Sequence, residues 1–327
     1  MTNLSHTALL KTNVKFYHIC KRKEIATINP VIIHATLYHS EMLSRRLKMN
    51  IPIVNSLVNN SYHKRRYIGL GWKGKLALLK VHLQDYFSKG KVTSFIANSA
   101  YISLVHQRSL GISVSKINVI HRGREFERIQ ETKKEDVEAI RSNLPNHDTK
   151  LFIAVGRLIA RKGHLDLLEA FEILQNQNSN VALWIVGEGE EFFKLEQRIN
   201  YLGLSKSIKL LGNRKDIPAL LAAADFFVFP SHYEGLPGAL IEAMISKTPI
   251  IASDIPENKE CLNDEMALFH QIRNTADLSK QLQSALVMKD WPQRTQLAYD
   301  YALQQFNITK IVQEYESVYE RFLKPNN

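Results

Sequence analysis

Cysteine is nearly absent. The 327 residues contain two, Cys20 and Cys261, far apart and outside any CxxC pattern. That excludes a disulfide framework and a thiolate zinc site, and points to a reducing compartment. No apolar run approaches the roughly 18 residues of a membrane span. The opening stretch, MTNLSHTALLKTNVKFYHIC, lacks the apolar core of a signal peptide, so the expected location is cytoplasmic. Glycine is missing from the first 28 residues. Acidic residues are scarce early on: residues 1–128 carry 21 Lys and Arg against five Asp and Glu, and the rest carries 22 against 27. One half therefore seeks an anionic partner, whether a nucleic acid, an anionic membrane face or a phosphorylated substrate. No recognised nucleic-acid module is visible, which disfavours the first. No metal-spaced His/Asp cluster occurs, and no bound metal or cofactor is expected.

What is present has a regular order. The length argues for two domains. From about residue 150, short apolar runs alternate with amphipathic ones. LFIAVG (151–156), ALWIVG (182–187), SIKLLG (207–212), FFVFPS (226–231), PIIAS (249–253) and ALFH (267–270) read as strands. HLDLLEAFEIL (164–174) sets Leu165, Leu168 and Phe171 on one helical face. Strand-helix-strand units with short turns imply a parallel, doubly wound α/β sheet, which binds ligands beyond the carboxyl ends of its strands. In the first half, PVIIHATL (30–37), IPIVNSLV (51–58), TSFIANS (93–99) and INVIHRG (117–123) read as strands. Trp72 to Phe87 reads as a helix with Trp72, Leu76, Leu79, Leu83 and Phe87 along one side and Lys73, Lys75 and Lys80 off that stripe. The preferred reading makes the stripe core and the lysines its solvated side; the other is shallow insertion into a membrane, helped by the basic cluster HKRR (63–66). REFERIQETKKEDVE (124–138) is polar and reads as the connection between halves. ITKIVQEYESVYERFL (308–323) is a last amphipathic helix.

The stretch SHYEGLPGALIEAM (231–244) holds two carboxylates, Glu234 and Glu242, around a Gly-Leu-Pro-Gly turn. Pro237 biases Leu236 away from helical geometry and suits the first helical position. Glu234 is thus expected in a loop and Glu242 within the helix. A helix N-terminus after a strand offers free N–H groups to a diphosphate, and flanking carboxylates can accept hydrogen bonds from hydroxyls. A nucleotide sugar has that layout. The plainer alternative, a capped and solvated helix start, stands beside it at this point. VGRLIARKGHLDLLEAF (155–171) supplies Arg157 and Lys162 at another strand end; singly, each is equally well a solvated loop cation. VGEGEE (186–191) is a further glycine-rich turn and is not a dinucleotide fingerprint.

Together these segments resemble the retaining glycosyltransferases of family 4, whose GT-B fold has two facing Rossmann-like domains. The matching pieces are IANSAYI (96–102), INVIHRG (117–123), VGRLIARKG (155–163), IVGEGEE (185–191), LLGNRKDIPALLAAADFFVFPS (210–231), EGLPGALIE (234–242) and TPIIASDIPENKE (248–260). The resemblance runs nearly continuously from about residue 29 to 323. It implies an N-terminal acceptor-side domain over 1–123, incomplete and basic; a nucleotide-sugar domain over 124–308; and a helix over 309–327 packed back on the first. It implies that Arg157 and Lys162 bind the donor diphosphate, Glu234 holds the sugar hydroxyls and Glu242 the ribose. Gly235, Leu236 and Pro237 would meet phosphate or sugar through backbone, and Arg214, Lys215 and Asp216 would lie near the base. It further implies metal-independent transfer of a hexose-type sugar, with retention, from a nucleotide-linked donor, most simply UDP. The acceptor would be a glycan or lipid-linked molecule in cell-surface polysaccharide synthesis, reached from the inner face of the membrane. Two departures stand out. The first strands and their Gly-rich loop are missing, which allows a non-catalytic nucleotide-sugar-binding subunit as the alternative. Val58 also stands where the family often has an active-site histidine. His34 falls at a different position, either on the acceptor side or as a satisfied core histidine.

Overall fold

The computed structural model describes residue 25 and residues 28–62, 64–67 and 70–323. Cys20, the glycine-free opening up to residue 24 and His63 of the HKRR cluster lie outside the described residues. The chain divides into two compact units, residues 1–123 with 308–327, and residues 124–307.

In the first unit, β1 (Ile33–Ala35), β2 (Ile53–Leu57), β3 (Ser94–Ala97) and β4 (Ile117–Val119) form a parallel sheet in that order. Helices α1 (Tyr38–Arg45), α2 (Trp72–Ser88) and α3 (Ala100–Leu110) follow the first three strands. β2 and β3 are buried at every position, as strands covered on both faces must be. Ser99 caps α3 by accepting from Ile102 N, and Gly111 ends it in the left-handed conformation. One polar cluster lies in this core. Arg45 is buried; its Nε donates to Asn55 Oδ1 at 2.8 Å, Nη1 pairs with Asp85, and Nη2 lies 3.5 Å from Glu41. Tyr62 also donates to Asp85.

The stripe on α2 is a correction. It is not core. Trp72 is 72% exposed and Phe87 78%, with Leu76, Leu79 and Leu83 also exposed. The helix packs inward through the opposite side, where Asp85 is its one buried residue. Helical periodicity marks an apolar face, but it cannot say whether anything covers that face.

The second unit begins with α4 (Phe126–Gln130) and α5 (Lys134–Arg141). The stretch read as a polar connection is therefore two helices of this unit. Phe126, Ile129 and Ile140 are buried in its core, spaced among charges that hide them in a composition-based reading. Then come β5 (Lys150–Val155), α6 (His164–Gln177), β6 (Val181–Val186), α7 (Phe192–Tyr201), β7 (Ile208–Leu210), α8 (Ile217–Ala223), β8 (Phe226–Phe229), α9 (Gly238–Ile245), β9 (Ile250–Ser253), α10 (Pro256–Lys259), β10 (Leu268–His270), α11 (Thr275–Val287) and α12 (Trp291–Phe306). All six strands are parallel, in the order β10-β9-β8-β5-β6-β7. Separate apolar clusters lie on the two sides of the sheet, one against α9 and α12, the other against α6 and α11.

α13 (Ile308–Leu323) returns to the first unit. Ile311 and Val318 pack with Val54, Ile96 and Ile120. The fold class is that of GT-B, α/β units with parallel sheets. Among the described residues, no helix is long and apolar enough to cross a membrane.

Candidate active site

Strand order fixes where a ligand can sit in the second unit. From β5 the chain winds to β6 and β7; β8, on the other side of β5, leads away to β9 and β10. The loops after β5 and β8 therefore diverge and leave a crevice at this switch point. Arg157 and Lys162 lie on the first loop, and Glu234 to Pro237 on the second.

The two loops touch through a glycine. Gly163 has φ +68°, and a Cβ there would overlap Pro230 O. This contact brings the RLIARKG cations under the Glu234 loop. Glu234 is 7% exposed. Arg161 Nη1 donates to Glu234 Oε2 and to Tyr233 O, 2.9 Å each. Lys162 Nζ lies 2.7 Å from Glu234 Oε1, an ion pair by distance whose alignment falls outside hydrogen-bond geometry. Glu234 N donates to Glu257 Oε1 at 3.2 Å. Burial raises the carboxyl pKa, but Lys162 and Arg161 outweigh it and hold Glu234 below its ordinary value. Burial lowers Lys162 against the opposing pull of Glu234. Nearby His164 is pushed down to about 3 by burial and then by Lys162, so its imidazole is neutral.

Glu242 is the fifth residue of α9. Pro237 is not the first helical residue but the extended cap, at φ −78° and ψ 100°, with Gly238 starting the helix. Arg124 Nε donates to Glu242 Oε1 at 3.0 Å, and its guanidinium lies directly over Gly238. Gly235, Leu236 and Pro237 are buried beneath this first turn.

The expected cations and acids thus do not form a single cluster. Lys162 meets Glu234; Arg157 is exposed at the end of β5. Arg214 and Asp216 form a two-point ion pair with each other, 2.9 and 2.6 Å, beside exposed Lys215 in the loop after β7. His34 belongs to the first unit. Its Nδ1 lies 2.6 Å from Tyr319 Oη and its Nε2 2.7 Å from Ser56 Oγ, with Tyr315 stacked on the ring. Burial lowers it to about 4, so it is a neutral histidine with both nitrogens engaged. Two residues were missed. Arg161 stood inside the quoted RLIARKG run without a role, and Arg124 lay in the segment taken for a connection.

The VGEGEE turn packs instead of opening. Gly187, at φ +142°, would place a Cβ onto Gly156 O, and Leu158 N donates to Glu188 O at 2.8 Å. Gly187→Ala should therefore push the β5 and β6 loops apart. We expect a loss of about 1–3 kcal/mol in thermal unfolding.

Residues 136–301, half of the chain, match the family described as glycosyl transferases group 1. The chain is 29% identical over 255 residues to the capsular polysaccharide biosynthesis glycosyltransferase CapH of Staphylococcus aureus, covering 75% of this chain and 64% of CapH. It is 24% identical over 331 residues to the N,N'-diacetylbacillosaminyl-diphospho-undecaprenol alpha-1,3-N-acetylgalactosaminyltransferase of Campylobacter jejuni, covering 91% and 84%. It therefore spans less than two thirds of CapH, though most of the Campylobacter enzyme. The fold matches Anabaena HepE, solved with UDP and glucose, at TM-score 0.78 and 20% identity, over 91% of this chain and 80% of that one.

Proposed function

The chain belongs to the glycosyl transferases group 1, and from that premise we propose that it is a retaining glycosyltransferase. It moves a hexose-type sugar from a UDP-linked donor to a glycan or lipid-linked acceptor in cell-surface polysaccharide synthesis. The observation that carries this reading is the buried Lys162–Glu234–Arg161 cluster at the strand-order switch point. CapH is named for capsule synthesis, the Campylobacter relative for a diphospho-undecaprenol acceptor, and HepE was solved with UDP and glucose; all three support the same assignment.

Unit 124–307 binds the donor. Arg157 and the α9 N-terminus receive the diphosphate. Lys162 turns from Glu234 to the same phosphates, and Arg161 keeps Glu234 charged while it does so. Glu234 then accepts hydrogen bonds from the sugar hydroxyls, Glu242 from the ribose, and the Arg214–Asp216 loop borders the base. The sugar–phosphate C–O bond breaks as the acceptor hydroxyl bonds to the anomeric carbon on the same face. The acceptor proton passes to the leaving diphosphate oxygen. The leaving charge falls on Arg157, Lys162 and the helix dipole, without a metal. The basic unit binds the acceptor, at the cytoplasmic face of an anionic membrane.

Calorimetric titration with UDP, GDP and ADP in EDTA, on the wild type and an Arg157→Ala/Lys162→Ala double variant, tests this. One nucleotide should bind without metal and lose roughly a hundredfold or more in the variant, at about 1.5–3 kcal/mol per charged contact. Nucleoside diphosphate release that is absent even with acceptor and bound donor would reduce the protein to a binding subunit. No nucleotide binding at all would sink the assignment.

A further inference from the structure

Helix α2 has two faces that do different work. Inward, Asp85 meets Arg45 and Tyr62, and Ser88 accepts from Arg45 Nη1 at 3.1 Å. Outward, Trp72, Leu76, Leu79, Leu83, Tyr86 and Phe87 are all exposed. At 3.6 residues per turn these six fall within a stripe roughly 100° wide, running about 25 Å along the helix. Single exposed apolar residues need no explanation, but a continuous stripe marks a docking surface.

The charges beside it identify the partner. Lys73 and Lys80 border one margin of the stripe and Lys75 the other, all exposed. Lys73 Nζ lies 5.6 Å from the centre of the Trp72 ring, and Lys89 Nζ sits over Tyr86. The single acid of the helix, Asp85, is turned inward and buried. A lysine-bordered apolar face with no exposed acid complements an anionic bilayer: rings and leucines enter the acyl boundary while the ammonium groups reach the headgroups. We propose that α2 is the membrane-docking element of this protein, lying in the plane of an anionic lipid surface. The purpose rests on the reading above, in which a lipid-linked acceptor must be met at the membrane; the docking itself does not depend on turnover.

Trp72 provides the assay. Trp184 and Trp291 are buried, so emission changes on vesicle binding report on Trp72. Vesicles of equimolar phosphatidylglycerol and phosphatidylcholine should shift the emission to the blue, and brominated acyl chains should quench it; phosphatidylcholine alone should do neither. Lys73→Glu/Lys75→Glu/Lys80→Glu should weaken binding at least about a hundredfold. Leu76→Gln/Leu83→Gln should abolish quenching by the bromine label. These positions are exposed, so both variants should keep wild-type melting and UDP affinity, which separates failure here from failure of the donor site. The proposal is overturned by a wild type without shift or quenching on anionic vesicles, or by variants that bind them as the wild type does. It is equally overturned if the wild type ignores vesicles and forms a dimer that Leu76→Gln/Leu83→Gln dissociates, since the stripe would then meet a second copy.

Discussion

Glu234→Ala is expected to abolish sugar transfer and also to destabilise the 124–307 unit by about 3–5 kcal/mol, because removing one partner strands buried opposite charges. Arg161 and Lys162 would lose their shared carboxylate, and Arg161 would keep its hydrogen bond to Tyr233 O. The corresponding drop in melting temperature is on the order of 10 °C for a domain of this size. Glu234→Gln separates the two effects. It keeps the shape and an acceptor for Arg161, so it should recover much of the stability while transfer stays low. The pH dependence follows from the lowered pKa. Glu234 is held below its ordinary 4.5, so its ionised form stabilises the fold above that value and this contribution is lost as pH falls through the folded pKa. The stability gap between wild type and Glu234→Gln should therefore be full at neutral pH and shrink in acid. A gap that grows in acid would contradict the ion-pair assignment.

Arg45→Met should be comparably severe in the first unit, at about 3–5 kcal/mol by the same reasoning. Among the described residues, Arg45 is the cation that pairs with Glu41 and Asp85 in that buried cluster. One guanidinium cannot neutralise two carboxylates, and Glu41 yields: burial pushes its pKa up to about 8, with Asp85 adding to the rise and Arg45 opposing it. Glu41 thus stabilises the fold in its protonated form. That contribution is complete below its unfolded value near 4.5 and is lost as pH rises towards 8. Glu41→Gln should flatten this slope at little cost, whereas Arg45→Met should stay destabilised at neutral pH because the Asp85 ion pair is lost. Thermal unfolding of both variants across the pH range reads this directly.

The strands of both units were legible because parallel strands buried on two faces must be continuously apolar: Phe226–Phe229 and Val181–Val186 admit little else. Loop positions of Glu234 and the start of α9 followed from Pro237, within one residue. The pairings were not legible. Arg124 and Glu242 are 118 positions apart, and Arg161 reaches Glu234 only because β5 and β8 are neighbours, which is a property of sheet order and not of any segment. The 124–138 stretch failed for a different reason. Lys133, Lys134, Glu135 and Asp136 dominate its composition, while the buried positions that decide its structure, Phe126 and Ile129, are diluted among them. The α2 stripe was found but assigned to the wrong environment, since amphipathicity is the same quantity whether the apolar side meets protein or lipid.

The route of the chain has a consequence for biosynthesis. Unit 124–307 enters and leaves at one place: Arg124 N donates to Phe306 O at 2.7 Å, and Arg124 bridges Asn307. The first unit, by contrast, needs Ile311 and Val318 from the far side of that insertion to fill the gap beside Val54, Ile96 and Ile120. On the ribosome, domains fold as units while the chain emerges. The later-encoded unit can therefore close its core while the earlier-encoded one still waits for α13. During that interval the waiting sheet, with its excess of positive charge, is what a chaperone or the anionic ribosomal surface would meet.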